Sequence, residues 1–186
     1  MEPAEERAAL TLEGLPEWVW NGEQLPVPIE DITESWFNLL IREVEDLSTA
    51  PGCPPLADGQ ALSGLLLPAR GEIWVNKAEA QEWPGRRRFT IAHELGHWCM
   101  HQTGQQSLFC RKTSVDEEEP RDEKPATTKP PLPPTEAEAN AFAAALLMPP
   151  DLMRHHYTAT EKDFHRMCEL FGSSRAAMGK RMHSVI

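Results

Sequence analysis

The stretch that decides the fold reads Arg88-Phe89-Thr90-Ile91-Ala92-His93-Glu94-Leu95-Gly96-His97-Trp98. Its apolar residues recur with a helical period, and on a helix His93 and His97, four positions apart, share one face. Both imidazoles can therefore reach one metal ion, and the Glu94 carboxylate can contact a metal-bound water without ligating the ion. Zinc lowers the pKa of such a water towards about 7, so this spacing suits metal-assisted amide hydrolysis.

Gly96 is an unfavourable residue for the middle of this helix, since it costs about 1 kcal/mol relative to Ala. The sequence therefore predicts that another backbone packs closely against the helix at Gly96. Two histidines and a glutamate inside an apolar stretch are also costly unless they have partners, which favours a functional site over satisfied core histidines.

A catalytic zinc ion commonly takes three protein ligands and leaves one position for water. The downstream segment Glu136-Ala137-Glu138-Ala139-Asn140 offers the third ligand. Glu136 and Asn140 share a helix face, so Glu136 could ligate while Asn140 holds the second ring nitrogen of a ligating histidine. Glu138 is an alternative third ligand, or it is the capping partner of Thr135.

Three further groups of residues could belong to the site or lie near it. His101 lies about 12 Å along the helix from His93, too far to share one ion with it, so we assign it to ligand support or to the surface. The segment His155–Tyr157 could stabilise an oxyanion, although an ordinary exposed helix end is the favoured interpretation. The basic cluster Arg86–Arg88 is interpreted first as a solvated helix entrance. Because its charge opposes the dipole of its helix, it also invites an acidic partner, for which Asp116–Glu119 is our hypothesis.

The rest of the chain predicts a lead-in, a body and one insertion. Residues 1–30, rich in Pro and Glu, predict a loosely structured lead-in whose Trp18 and Trp20 dock on a body at 31–186. The acidic and Pro-rich segment 102–134 predicts a mobile insertion, placed to act as a lid. The predicted helices are 31–47, 87–101, 135–148, 161–171 and 174–184, and the predicted strands are Ala61–Leu67 and Glu72–Asn76.

Composition excludes several classes of function. The chain has 186 residues, of which 18 are basic and 29 acidic, and its formal net charge is −11. This balance argues against phosphate-neutralising nucleic-acid binding and against docking on anionic lipid. Because the sequence has no apolar run of spanning length, no secretory signal and four irregularly spaced cysteines, we expect a cytoplasmic protein with reduced thiols.

The two motif blocks together resemble the ImmA/IrrE family of metallo-endopeptidases. The first block is Arg88–His97, and the second, Glu136–Pro149, reads Glu-Ala-Glu-Ala-Asn-Ala-Phe-Ala-Ala-Ala-Leu-Leu-Met-Pro. The resemblance implies a zincin-like α+β domain, mainly helical, with a small β-sheet or hairpin before the motif helix. It also implies one zinc ion and selective intracellular cleavage of a helix-turn-helix transcriptional repressor, in stress response or mobile-element regulation. Residues 1–30 are too short and Pro-rich for a helix-turn-helix, so we expect the repressor to be a separate chain.

The predicted site thus has His93, His97 and Glu136 as metal ligands, Glu94 as general base and Asn140 as a supporting residue. Manganese or another divalent ion is an alternative to zinc, because sites of two histidines and one glutamate accept several metals. The alternative function is a regulatory module that binds a repressor or toxin partner on a zincin fold without cutting it. A purely structural zinc site is a weaker alternative, because three ligands leave an open coordination position.

Overall fold

The computed structural model describes residues 3–51, 53, 60–101, 108–109, 112–114 and 132–186. The helices are α1 (Pro3–Glu13), α2 (Ile29–Asp31), α3 (Lys77–Glu82), α4 (Pro84–Met100), α5 (Pro134–Leu147), α6 (Pro150–Ala159), α7 (Phe164–Phe171) and α8 (Arg175–Val185). The strands are β1 (Leu40–Val44), β2 (Gln60–Leu62), β3 (Gly64–Leu67), β4 (Glu72–Asn76), β5 (Leu108–Phe109) and β6 (Lys112–Ser114). The predicted α+β class, mainly helical with a small sheet before the motif helix, is confirmed.

The main sheet has the strand order β1-β4-β3-β5. β1 runs parallel to β4, with Leu40 opposite Glu72, whereas β3 is antiparallel to both β4 and β5. The predicted strand Ala61–Leu67 is divided at Ser63 into β2, which pairs with β6, and β3, which forms the predicted hairpin with β4. A 3-10 turn and Gly71, at φ 62°, close that hairpin.

The predicted helix over residues 31–47 is wrong beyond its first turns. α2 continues as a π-helical segment, Ile32–Trp36, and Asn38 then adopts a positive φ of 54°, which ends the helix. The chain continues as β1, because Leu40–Val44 gains a ladder of backbone hydrogen bonds to β4. Leu40, which the helical period placed on a buried face, is 46% exposed.

The prediction of a loosely structured lead-in is wrong for residues 3–13. These residues form α1, whose Ala4 and Ala8 are buried and allow the helix to pack closely on α5. Trp20 docks as predicted and donates its indole N–H to the carbonyl of Gln24 at 2.9 Å, whereas Trp18 is 72% exposed. The division of the chain into a lead-in and one domain stays a prediction.

The core is formed where α4 lies between the sheet and α5. Ile91 and Leu95 of α4 are fully buried together with Ile73 of β4 and Phe142 of α5. A Cβ atom at Gly96 would lie 3.3 Å from the Cα of Ala139 on α5, which is the close backbone approach that the sequence predicts. This packing brings the two motif blocks together.

Residues 134–185 are mainly helical. α5 begins at Pro134, so Thr135 lies in its first turn and does not cap it as predicted. α6 was not predicted, and α7 begins three residues later than predicted, with its first turn capped by Asp163. Within the ranges the structure describes, the helices fall short of the length and apolar character needed to cross a membrane. Most of the predicted insertion at 102–134, including Asp116–Glu119, lies outside the described residues.

Candidate metal centre

The centre is built from one face of α4 and the first turn of α5. Nε2 of His93 lies 3.2 Å from Oε2 of Glu136, and Nε2 of His97 lies 3.2 Å from Oε1 of the same carboxylate. The two Nε2 atoms are 3.1 Å apart. Each of His93, His97 and Glu136 offers one ligand atom, and these three atoms all lie within 4.8 Å of one another. Together they could hold a metal ion. The structure brings Glu136 rather than Glu138 to the two histidines.

Burial and charge suit this group to a cation. His93 and His97 are each 1% exposed, so their rings are excluded from bulk water. Burial lowers the pKa of His93, which favours the neutral imidazole that a metal requires. Burial raises the pKa of Glu136, but hydrogen bonds from the two histidines more than offset it and lower the pKa to about 2. The chemistry of the donor set, two imidazole nitrogens and an ionised carboxylate, therefore fits zinc or a similar divalent ion.

Glu94 is fully buried on α4, beside the first histidine of the motif. The backbone of β3 passes close to it, since a Cβ atom at Gly64 would lie 3.6 Å from Oε1 of Glu94. The same Cβ would lie 2.4 Å from the side chain of Thr90, so only glycine fits here. β3 thus covers the α4 face that carries Glu94.

Side chains of α5 also make polar contacts near both histidines, directly to His93 and through His101 to His97. Oδ1 of Asn140 lies 3.0 Å from Nδ1 of His93, the contact expected of the predicted supporting residue. On the other side, Nδ1 of His101 lies 3.1 Å from Nδ1 of His97, and Nε2 of His101 lies 2.8 Å from Oε2 of Glu138. The sequence predicts ligand support or a surface position for His101, and a third metal ligand or a capping partner for Glu138. Neither assignment foresaw that the two side chains meet.

The other sequence candidates lie elsewhere in the fold. His155 and His156 lie on α6, where their ring centroids are 5.0 Å apart, and the ring of His156 also contacts Phe171 of α7. Tyr157 follows them and packs against the core. An oxyanion role for these residues stays a prediction.

The basic cluster Arg86–Arg88 has acidic partners within the described residues. Arg87 pairs with Glu30 at 2.5 Å and with Glu43 at 3.0 Å. Arg86 pairs with Glu79, and Arg88 pairs with Glu30 and donates to the carbonyl of Val27. These contacts tie the start of α4 to α2, α3 and β1. The hypothesised partner Asp116–Glu119 lies outside the part of the chain that the structure describes.

Comparison with known protein families gives a match over most of the chain. The family model described as Peptidase M78, IrrE N-terminal-like domain, matches residues 58–183, from just before β2 to within α8. The match covers more than half of the chain and includes both helices of the candidate metal centre. The chain matches no curated protein.

Proposed function

Because the chain belongs to the IrrE N-terminal-like family of peptidases, we propose that it is a zinc-dependent endopeptidase with His93, His97 and Glu136 as its metal ligands. The observation that carries the proposal is the convergence of these three side chains from two helices, with the fully buried Glu94 on the same helix as both histidines. Two imidazoles and one carboxylate leave a coordination position open, as a catalytic zinc site requires.

Each residue has a defined task in this proposal. When bound, zinc supplies a Lewis acid that lowers the pKa of water and polarises the scissile carbonyl. Glu94 accepts a proton at its carboxylate from the attacking water, whose oxygen bonds to the peptide carbonyl carbon. Glu94 then returns that proton to the amine nitrogen as the C–N bond breaks. Asn140 would accept a hydrogen bond from Nδ1 of His93, which would fix the ring and leave the lone pair of Nε2 to hold the ion.

The proposed substrate is a helix-turn-helix transcriptional repressor on a separate chain, cleaved in the cytoplasm. Support comes from the resemblance of both motif blocks to metallo-endopeptidases that act on such repressors. Zinc is the proposed ion because two histidines and one glutamate form a common set of ligands in zinc peptidases. Manganese is the alternative that metal analysis must test.

The test combines metal analysis with peptide cleavage. We expect about one zinc per chain in the purified wild type, with loss of the metal in His97→Ala and Glu136→Ala. Glu94→Gln should keep the metal but lose at least about a hundredfold of the cleavage of a proteome-derived peptide library, read by mass spectrometry. Absence of metal from the wild type after zinc loading would contradict the proposal. Unchanged cleavage by Glu94→Gln would contradict the role of Glu94.

The same variant separates a protease from a binding module. If Glu94→Gln still binds a repressor partner but no longer relieves repression in cells, the enzyme is supported. If Glu94→Gln keeps full cellular function, the chain acts by binding alone.

A further inference from the structure

His101 and Glu138 form a contact that the proposed chemistry does not use. His101 lies just beyond the last turn of α4, and its backbone N–H donates to the carbonyl of His97 at 2.8 Å. Its ring turns back towards the metal group, so that the centroids of the His97 and His101 rings are 5.2 Å apart. Glu138 reaches the far side of this ring from α5. The three side chains therefore form a continuous line from the candidate ligand to the surface.

One assignment of protons satisfies every nitrogen along this line. If Nε2 of His97 offers its lone pair to a metal, its Nδ1 must carry the proton and can donate it to Nδ1 of His101. His101 then carries its own proton on Nε2, which lies 2.8 Å from the acceptor Oε2 of Glu138. The carboxylate thus selects the tautomer of His101, and His101 selects the tautomer of His97. The same arrangement of carboxylate, imidazole and metal ligand is a general way to raise ligand basicity.

We infer that His101 and Glu138 are positioning residues for the metal ligand His97, an inference that rests on the proposed function. α5 then supports both histidines of α4, because Asn140 holds Nδ1 of His93 while Glu138 holds Nδ1 of His97 through His101. α5 also contributes Glu136 directly. Any displacement of α5 along α4 disturbs the carboxylate ligand and both supports together.

The affinity of the chain for zinc distinguishes a positioning role from a contact that only stabilises the packing of α4 on α5. The experiment measures the zinc dissociation constant of the full chain by competition with a chromophoric chelator. In parallel, urea unfolding of the metal-free protein reports on the stability of the fold. The variants are His101→Ala, Glu138→Ala, Glu138→Gln and the double variant of His101→Ala with Glu138→Ala. His165→Ala is the matched control, because His165 also pairs with a glutamate, Glu169, at 3.4 Å, but on the exposed face of α7.

We expect His101→Ala to weaken zinc binding about 10–100-fold, the range found when supports of ligating histidines are removed. Glu138→Ala should weaken it about tenfold, and Glu138→Gln should recover most of that loss, since the amide oxygen still accepts from Nε2 of His101. The double variant should be no weaker than His101→Ala, because Glu138 acts through His101. His165→Ala should match the wild type.

The outcomes separate failure of this inference from failure of the proposed function. If the wild type binds zinc and all His101 and Glu138 variants stay within about twofold of it, the positioning role is overturned. If the wild type binds no zinc, both this inference and the proposed function are overturned. Should His101→Ala fail to fold, the Glu138 pair still decides, because that half-exposed side chain can be changed without opening the core.

Discussion

At the residue scale, two opposing effects act on the pKa of His93. Burial disfavours the charged imidazolium and lowers the pKa of His93, whereas the hydrogen bond to Glu136 favours that form and raises the pKa. Burial is the larger effect, so His93 is neutral at pH 7 with a lone pair on the ring. The residue is thus prepared for a cation before one binds.

We predict that His93 in the metal-free protein titrates below its ordinary pKa of 6.5, as measured by NMR of the ring resonances. Glu136→Gln should move the midpoint further down, because it removes the carboxylate that stabilises the imidazolium. A midpoint above 6.5, or an upward movement in Glu136→Gln, would contradict this account of the site.

At the element scale, the contact between α4 and α5 depends on Gly96. A Cβ atom at this position would lie 3.0 Å from Cδ1 of Phe142 and 3.3 Å from the backbone of Ala139. The phenyl ring is fully buried, and the Ala139 atoms belong to backbone, so neither can move aside easily. Gly96 therefore sets how close the two helices of the candidate metal centre approach each other.

Gly96→Ala should destabilise the fold by about 1–3 kcal/mol despite the better helix propensity of alanine, because the added methyl overpacks the helix contact. Urea unfolding measures the change. Gly179→Ala is the matched control, since Gly179 is also helical but a Cβ there would meet no atom within 4 Å in the described structure. That control should gain about 0.5–1 kcal/mol. An equal change in the free energy of unfolding in Gly96→Ala and Gly179→Ala would show that the close packing at Gly96 does not determine the effect of the substitution.

Some elements and contacts of this fold are encoded locally in the sequence, and others are not. The motif helix and the approach at Gly96 were predictable, because a helical period and a misplaced glycine are local signals. The strand β1 was not predictable, since its partner β4 lies far along the chain and the same apolar residues fit a helix. The contact of His101 with Glu138 was missed for a related reason. It depends on how α5 lies across the end of α4, and neither segment alone encodes that geometry.

At the scale of the whole molecule, Arg181 joins three parts of the chain. It lies on α8, is almost fully buried, and donates through Nε to the carbonyl of Met148 at 3.1 Å, just after α5. Its Nη1 atom pairs with Glu5 on α1. α1 precedes the segment that the family model matches, so this arginine connects the start of the chain to the peptidase part.

Arg181→Ala should lower the free energy of unfolding by about 2–3 kcal/mol, because it removes charged hydrogen bonds and leaves the Met148 carbonyl buried without its donor. Lys180→Ala is the control, since Lys180 is the exposed neighbour on the same helix. Urea unfolding of both variants checks the prediction. If Arg181→Ala loses no more free energy of unfolding than Lys180→Ala, the contacts of Arg181 with Met148 and Glu5 contribute little to stability.

The separation of the three proposed metal ligands between α4 and α5 has a consequence during protein synthesis. The ribosome makes His93 and His97 first, and Glu136 follows only after the whole of residues 102–131 has been added. At translation rates of about 5–20 residues per second, the nascent chain spends seconds with two histidines and no carboxylate to complete the set. A peptidase whose ligands are divided in this way becomes competent only once α5 has emerged and packed on α4. If these three residues form the active site, the nascent chain therefore has no peptidase activity before α5 is complete.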